Sequence, residues 1–303
     1  MSAGTTTTNS LRTARVRLSD YVALTKPRIV TMVLVTTCVA ALKVPGETLH
    51  FWLLLHTLIG TFCTAASASV FNHVLERESD GRMPRTMKRP LPAHRVNLLP
   101  ASLFGLALLL VGAFELFEFV NATAGAMGLL TWAGYVVLYT PLKRLTTWNT
   151  TVGAVGGAMP IWIGWTANGG DFAQPLGWIL FLGLFFWQYP HFMAIAWKLR
   201  NQYRDAGIRM VTVSDPTGRT AGLEAIGGSL AMIALGGALW FVEGPVAWKV
   251  AAIVCVTLLN LWLLAASIRF ARNREDGIAM RLMRTSLLHL PAWLAVTAIC
   301  SGV

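Results

Sequence analysis

Three oxygen-bearing side chains stand at four-residue intervals directly after a long apolar run, residues 51–71: they are Asn72, Glu76 and Asp80. If the helix continues through them, each step of four residues advances about 400°, so the three side chains share one face. An amide and two carboxylates in a row present the oxygen ligands that Mg²⁺ prefers. Basic residues follow closely, at Arg82, Arg85, Lys88 and Arg89. A metal-binding edge with cations beside it has the chemistry needed to bind a diphosphate and to stabilise it as a leaving group.

The same stretch has a simpler interpretation, as a charged loop that follows a membrane-spanning helix. Three polar residues at this spacing arise easily by chance, so the motif alone leaves the metal site and the loop as alternatives. The rest of the chain supplies the context that separates them.

The composition of the 303-residue chain is that of a membrane protein. It is 55% hydrophobic and only 13% charged, whereas soluble domains carry about 25% charged residues. The net charge of +11 would suit nucleic-acid binding, but the basic residues lie between apolar runs, and we expect no nucleic-acid partner. The cysteines all fall in apolar runs without a CxxC or Cys/His pattern, and we interpret them as small core residues: Cys38, Cys63, Cys255 and Cys300.

The apolar runs predict an all-α, polytopic bundle of about nine transmembrane helices. It forms a single domain, residues 21–303, after a polar and basic stretch, residues 1–20, that we interpret as a disordered cytoplasmic tail. The predicted spans are approximately 28–43, 51–71, 97–117, 119–139, 149–166, 175–196, 222–242, 246–268 and 283–301.

The basic residues divide unequally between the two sides that these spans create. With a cytoplasmic N-terminus, 23 of the 25 Lys and Arg residues lie on the cytoplasmic side, and only Lys43 and Lys249 lie on the other. The positive-inside rule produces this asymmetry. We therefore expect a multi-pass protein of the cell (inner, cytoplasmic) membrane, with its N-terminus inside and its C-terminus outside. The polar stretches then meet in one site at the cytoplasmic mouth of the bundle: 25–28, 72–91, 139–144 and 187–218.

Several of these stretches carry a resemblance to a known family. They read LTKPR at 24–28, N-x-x-x-E-x-x-x-D followed by RxxRTMKRPLP, YTPLKRLTTWN at 139–149, QYPHFMAIAW at 188–197 and YRDAGIRM at 203–210. In order and spacing they resemble the protohaem IX farnesyltransferases (haem O synthases), a branch of the UbiA-type intramembrane prenyltransferases. The resemblance covers the chain from Leu24 to about His289. It implies an enzyme that transfers a farnesyl group from farnesyl diphosphate to the 2-vinyl group of protohaem IX (haem b), giving haem O in haem A biosynthesis.

The resemblance also implies roles for individual residues. Asn72, Glu76 and Asp80 would be the catalytic residues and would bind Mg²⁺, the implied cofactor. The implied substrate-binding residues are Lys26, Arg28, Arg85, Lys88, Arg89, Tyr139, Lys143, Arg144, Asn149, His191, Tyr203 and Asp205. The basic members would neutralise the diphosphate, and aromatic rings would shield the allylic cation. The implied partners are haem b, farnesyl diphosphate, membrane lipid and, as a further protein, haem A synthase.

One histidine stands out because it lies inside an apolar run, where an ionisable side chain is costly. His191 is therefore a candidate ligand of the haem iron, and a hydrogen bond to a neighbouring helix is the alternative. His73 is the second candidate, and His289 is a weaker one.

The chain departs from the family pattern at two places. The first motif has Glu76 where Asp is usual, and the longer carboxylate still reaches a metal. In the second motif Asn201 and Gln202 stand where an acid is usual, and the nearest carboxylates are those of Asp205 and Asp215. Because an amide oxygen brings no charge, we expect a metal site held mainly by the first motif, with Asp205 as a partial substitute.

Two other functions remain open at this point. A related prenyltransferase would use the aromatic ring of a quinone precursor as acceptor, but the PHF and LKR-T-x-x-N stretches favour haem. A non-catalytic, haem-handling membrane protein or transporter would have paired interrupted helices around a site at the middle of the bilayer. The carboxylates instead lie at the predicted membrane surface.

The charge asymmetry predicts the location of the C-terminus. With nine spans and a cytoplasmic N-terminus, a reporter fused after Gly302 will be active on the periplasmic side. A cytoplasmic signal from that fusion would remove one span from the predicted count.

Overall fold

A computed structural model describes residues 17–300 of the chain. Residues 1–16 of the predicted tail lie outside this range, and within it a helix begins at Leu18. The described residues form helices and connecting loops, with no strand among them. The all-helical class predicted from the apolar runs is confirmed.

The first half of the described chain contains α1 (Leu18–Leu24), α2 (Pro27–Leu42), α3 (Phe51–Gly81), α4 (Leu98–Phe119), α5 (Ala122–Ala133), α6 (Thr140–Leu145), α7 (Asn149–Ala158) and α8 (Pro160–Ala167). A π-helical turn, Gly134–Tyr139, joins α5 to α6 without a break. The second half contains α9 (Pro175–Lys198), α10 (Arg200–Asp205), α11 (Val211–Ser214), α12 (Arg219–Gly237), α13 (Val246–Arg272) and α14 (Asp276–Cys300). A 3₁₀ turn, Ala238–Phe241, extends α12.

Seven helical segments in residues 17–300 are long and apolar enough to cross a membrane. The pair α1 and α2, which meet at 50°, gives an eighth if it counts as one span. The predicted span 149–166 is divided at Met159 into α7 and α8, because Pro160 lacks the N–H that would continue the backbone hydrogen bonds. The polytopic helical bundle is thus confirmed, and the count of nine stays a prediction.

Small residues allow α3 and α4 to approach each other closely. A Cβ on Gly112 of α4 would lie 2.8 Å from the backbone nitrogen of Thr64 in α3. Near it, the Ser67 hydroxyl donates a 2.7 Å hydrogen bond to the Gly105 carbonyl. Lipid provides no hydrophobic drive between helices, so close packing and polar contacts of this kind hold the pair together.

Large side chains fill the second half of the bundle. Trp293 of α14 is fully buried and packs against Gly183 of α9, where a Cβ would lie 2.2 Å from the indole ring. Phe270 of α13 and Met232 of α12 are fully buried in the same apolar core. These helices therefore form a solid block that fixes α9, the helix that leads into the second polar loop.

The contact between α9 and α12 depends on a proline and a glycine. Pro190 lies inside α9 and has no N–H to donate to the Phe186 carbonyl. Gly228 of α12 packs at this point, and a Cβ there would lie 2.8 Å from both the Phe186 oxygen and the Tyr189 Cβ. At the adjacent Gly227, the position that a Cβ would occupy has no atom of another described helix within 4 Å.

This difference predicts opposite effects for two neighbouring substitutions. Gly228→Ala will lower the thermal unfolding midpoint, because overpacking a rigid contact costs about 1–3 kcal/mol. Gly227→Ala will leave the midpoint unchanged or raise it, because alanine is the better helix former by up to about 1 kcal/mol. The measurement is thermal unfolding of both purified variants in the same detergent. Equal midpoints for the two variants would contradict the close packing of α9 on α12.

Candidate functional site

The last turns of α3 carry the first polar motif on one buried face. Because α3 continues without interruption to Gly81, Asn72, Glu76 and Asp80 lie one above another. All three are buried, and they line the same cavity of about 270 Å³ at this end of the bundle. The helical spacing expected from the sequence is present.

Each of the three side chains contacts a cation from a different segment. The contacts are Lys26 Nζ to Asn72 Oδ1 at 2.5 Å, Lys143 Nζ to Glu76 Oε1 at 2.7 Å, and Arg89 Nη1 to Asp80 Oδ2 at 2.6 Å. The cations come from the junction of α1 and α2, from α6, and from the loop after α3. A buried carboxylate requires such a partner, since an unpaired charge is strongly disfavoured away from water.

Lys26 reaches Asn72 from an unusual backbone conformation. Its φ angle is +50°, in the left-handed region that residues with a side chain adopt only at an energetic cost. Pro27 begins α2 immediately afterwards, and the two helices meet at 50°. Strain of this kind is typical of functional positions, and here it accompanies the placement of a cation in the cavity.

The π-helical turn sets the position of α6. The Thr140 hydroxyl donates to the Tyr135 carbonyl at 2.8 Å and accepts from Asn72 Nδ2 at 3.2 Å. One turn further on, Lys143 Nζ lies 4.5 Å from the centroid of the Tyr139 ring. A π-helical turn contains an extra residue, so it shifts the face that the following residues present. This shift brings Thr140 and Lys143 to α3.

The loop after α3 and the loop after α10 close the cavity. The loop after α10 is hydrogen-bonded to α6 and α7. The Arg209 N–H donates to the Lys143 carbonyl at 2.7 Å, and Asn149 Nδ2 donates to the Arg209 carbonyl at 2.7 Å. The loop after α3 packs on the loop after α10 through a small buried apolar cluster, Met83, Ala206 and Ile208. Segments that are distant in the sequence therefore meet over the end of α3.

A second, apolar cavity adjoins the first. It measures about 110 Å³ and lies between α2, α3, α5 and α7. Small and apolar side chains such as Val33, Ala65 and Gly128 line it, together with the aromatic Trp132. Ile29 lines both cavities, so the two lie next to each other.

Most of the residues proposed from the sequence line the charged cavity: Lys26, Asn72, Glu76, Asp80, Arg85, Arg89, Tyr139, Lys143, Asn149 and Tyr203. Arg144 lies beside it, with Nη2 3.5 Å from the Ser79 hydroxyl, and lines a neighbouring cavity that Glu76 also lines. Arg28 and Lys88 are exposed and do not line the charged cavity.

Asp205 also lies outside the cavity, contrary to the expectation that it substitutes for the missing acid. Its carboxylate is exposed and lies 3.7 Å from the guanidinium of the adjacent Arg204. Tyr203 of the same short helix does line the cavity. Two residues correspond to about 200° of rotation, so Asp205 faces away from it.

Asp215, the other nearby carboxylate, is engaged at the start of α12. It accepts hydrogen bonds from the Thr217 hydroxyl at 2.5 Å and from the Thr220 N–H at 2.8 Å. These bonds favour the charged form and lower the pKa of the Asp215 carboxyl below its usual value. In the described chain, the second motif therefore brings no carboxylate to the cavity.

The three candidate histidines lie in different surroundings. His191 faces α14, with Nδ1 2.9 Å from the Ser286 hydroxyl and its ring stacked on Trp187. This is the bond to a neighbouring helix that the sequence left as an alternative to iron binding. His289 is buried, with Nε2 3.0 Å from Asn260 Oδ1.

His73 lies closest to the first motif. It is 2% exposed, neither ring nitrogen has a hydrogen-bond partner among residues 17–300, and Nδ1 lies 3.8 Å from Asp80 Oδ2. It does not line the charged cavity.

Some residues around the cavity carry no clear sequence signal. Thr140 contacts Asn72 only because the preceding turn is π-helical, which the sequence pattern does not reveal. Gly153 of α7 packs on the Tyr139 ring, where a Cβ would lie 2.6 Å from Cε2. The requirement for glycine at this position follows from the packing, and the sequence alone does not show it.

The oxygen-bearing side chains of the first motif suit a divalent cation that is also bound by oxygens of an anion. The described residues contain no cluster of three or more His, Cys, Asp or Glu side chains close enough to hold a metal. However, Asp80 Oδ1 is buried without a hydrogen-bond partner, and Asn72 and Glu76 add further oxygens on the same face. Mg²⁺ is usually bound by one or two carboxylates together with phosphate oxygens, and the residues present fit that arrangement.

Comparison with known proteins places the chain among prenyltransferases. Residues 33–288 match the UbiA prenyltransferase family. The chain is 44% identical over 283 residues to a protoheme IX farnesyltransferase of Rhodopirellula baltica, covering 91% of this chain and 97% of that protein. It is 39% identical over 285 residues to a protoheme IX farnesyltransferase of Solibacter usitatus, covering 90% and 96% respectively.

The fold is shared with solved structures of lower sequence similarity. One is a UbiA homologue from Archaeoglobus fulgidus bound to DMAPP and Mg²⁺, with a TM-score of 0.67 at 14% identity. The match covers 92% of this chain and 99% of that one, so it extends over the entire bundle.

The geometry predicts which carboxylate binds a divalent cation. Mn²⁺ will bind in the presence of inorganic pyrophosphate, and Asp80→Asn will weaken this binding at least tenfold, because it removes a buried charged ligand. The matched control Asp205→Asn will bind as the wild type does, since that carboxylate is exposed outside the cavity. Electron paramagnetic resonance of free Mn²⁺ measures the affinity. Equal losses in both variants would show that the second motif does contribute a ligand.

Proposed function

Because the chain belongs to the UbiA prenyltransferase family, we propose that it transfers a farnesyl group from farnesyl diphosphate to the 2-vinyl group of haem b, forming haem O for haem A biosynthesis. One observation carries the proposal beyond the family: the charged cavity and the apolar cavity adjoin at Ile29. The charged cavity suits the anionic head of such a substrate, and the apolar lining of the second cavity suits the beginning of its isoprenoid tail.

The cations of the charged cavity bind the diphosphate. Lys26, Arg89 and Lys143 converge there from three segments, and Arg85 lines the same cavity. When the bond between the farnesyl carbon and the diphosphate oxygen breaks, negative charge accumulates on the leaving group. Fixed cations in a site shielded from water stabilise this charge more than they stabilise the intact substrate, which is the condition for catalysis.

Asn72, Glu76 and Asp80 would hold Mg²⁺ together with oxygens of the diphosphate. When bound, Mg²⁺ supplies a Lewis acid that withdraws charge from the leaving group. In the structure these three side chains contact Lys26, Lys143 and Arg89. With Mg²⁺ bound, the three cations would turn to the phosphate oxygens. The same residues thus balance the carboxylates before binding and the diphosphate after it.

The apolar cavity holds the farnesyl chain and keeps water away from the allylic carbon. Tyr135 and Trp132 line this cavity, and Tyr139 lines the charged one. Their ring faces stabilise a neighbouring positive charge. The allylic cation therefore forms between an anion-binding site and a group of aromatic rings.

The haem vinyl group then attacks the allylic carbon. A carbon–carbon bond forms to the allylic carbon, whose bond to the diphosphate oxygen has already broken, and the positive charge moves to the former vinyl group. Water adds to that carbon and loses a proton, which leaves a hydroxyethylfarnesyl side chain. The anionic propionates of haem suit a basic membrane surface such as the one around this site.

The orientation in the membrane is part of the proposal. The chain is a multi-pass membrane protein, and the division of its Lys and Arg residues supports a cytoplasmic active site and N-terminus. Haem A synthase, which would receive the product, is the proposed protein partner.

Two alternatives differ from this proposal in what the protein produces. A prenyltransferase for quinone precursors would attach the farnesyl group to an aromatic ring and leave haem unchanged. A haem-handling protein without catalysis would bind haem and consume no farnesyl diphosphate. Supplying each acceptor separately distinguishes all three functions.

The first motif predicts a matched pair of activity results. Asp80→Ala will reduce haem O formation about 10²-fold or more, because it removes a group that acts on the leaving diphosphate. Glu78→Ala will stay within a few-fold of wild type, since Glu78 is exposed and, among residues 17–300, pairs with Arg77 on the outer face. The assay incubates membranes containing equal amounts of each variant with haem b and farnesyl diphosphate, and detects haem O by mass spectrometry. Comparable activity in the two variants would identify the motif as an ordinary charged loop.

A further inference from the structure

The last two long helices leave a groove on the outer face of the bundle. Its basic end, which Arg269, Arg272 and Arg281 line, lies on the same side as the charged cavity. There, Arg200 of α10 pairs with Asp276 at the start of α14 at 2.7 Å, and Arg274 donates to the Thr217 carbonyl at 2.7 Å. The groove thus begins at the membrane surface that carries the proposed active site, but the residues that line it are separate from that site.

Three arginine side chains line the basic end of this groove, a cavity of about 330 Å³. They are Arg269 and Arg272 of α13 and Arg281 of α14, and none of them has a side-chain hydrogen bond or an ion pair within residues 17–300. Asn273 and Thr285 add uncharged hydrogen-bond donors, and no carboxylate lines the cavity. The basic end of the groove is therefore positively charged and suits an anion.

The groove continues from the arginines into an apolar channel. Trp262 lines both parts, and beyond it the channel passes Cys255, Leu258, Ala292 and Val296. From Arg269 to Cys255, the residue of α13 farthest along the channel, the helix rises roughly 21 Å at 1.5 Å per residue. This is about half of the ~40–45 Å thickness of a bilayer with its headgroup regions, the depth of a single leaflet.

The helix dipole does not account for all three arginines. Arg269 and Arg272 lie in the last turn of α13, where cations are favoured by the helix dipole. Arg281 lies in the second turn of α14, near the end of that helix where the dipole does not favour a cation. Arg281 nevertheless lines the same cavity as the other two arginines. Arg284, three residues later on the same helix, does not line this cavity.

We propose that the groove between α13 and α14 is a binding site for an anionic phospholipid. Its phosphate binds Arg269, Arg272 and Arg281, and an acyl chain follows Trp262 into the apolar channel. Charge complementarity and the length of one leaflet argue for this occupant, and basic pockets between transmembrane helices are a known form of lipid recognition. A bound lipid would join α13 to α14 directly beside the contacts that tie them to α10 and to the loop before α12.

Native mass spectrometry of the purified, delipidated protein tests this site. Dioleoylphosphatidylglycerol will bind with higher affinity than dioleoylphosphatidylcholine. Replacing arginines with glutamine at 269, 272 and 281 will weaken phosphatidylglycerol binding about fivefold for each arginine removed, which corresponds to ~1 kcal/mol per basic residue. Substitution of exposed side chains preserves the fold, and the thermal midpoint of each variant verifies this.

Two further variants and one competitor make the test specific. Arg284→Gln removes the same charge from the same helix outside the groove and will leave lipid binding unchanged. Trp262→Ala will weaken binding although it removes no charge, and glycerol 1-phosphate, which has the head group without chains, will not compete. Equal binding of the two lipids, equal losses from Arg281→Gln and Arg284→Gln, or full competition by glycerol 1-phosphate would each overturn the proposal.

Discussion

Two carboxylates buried near the membrane end of one helix impose the arrangement of the segments around them. Glu76 and Asp80 would be strongly destabilising without cations, because charge is costly away from bulk water. Lys143 from α6 and Arg89 from the loop after α3 provide those cations. Each contact fixes the element that carries the cation, so the π-helical turn before α6 and the path of the loop follow from the same electrostatic requirement.

The sequence predicts those parts of the cavity that lie within one uninterrupted helix. Asn72 and Asp80 share a face because α3 continues to Gly81, and periodicity is sufficient to show this. Asp205 lies just after the end of α9, where a new short helix begins with its own phase, so the face it occupies was not predictable. Thr140 was not predictable for a related reason, since a π-helical turn changes the phase within a continuous helix.

The two halves of the bundle use different packing for different purposes. In the first half, small residues such as Gly128 and Ala65 leave space, which becomes the apolar cavity beside the charged one. In the second half, Trp293 and Phe270 fill the interior instead. The groove of this half lies on its outer face, between α13 and α14.

The charge balance of the residues that line the cavity bears on the order in which ligands arrive. Four basic residues line it, Lys26, Arg85, Arg89 and Lys143, against two acids, Glu76 and Asp80. A bare divalent cation would enter an already positive space, and a bare diphosphate would approach the carboxylates without a metal between them. A preformed metal–diphosphate complex avoids both penalties. Occupancy would therefore follow the concentration of that complex, which depends on free Mg²⁺ and free diphosphate together.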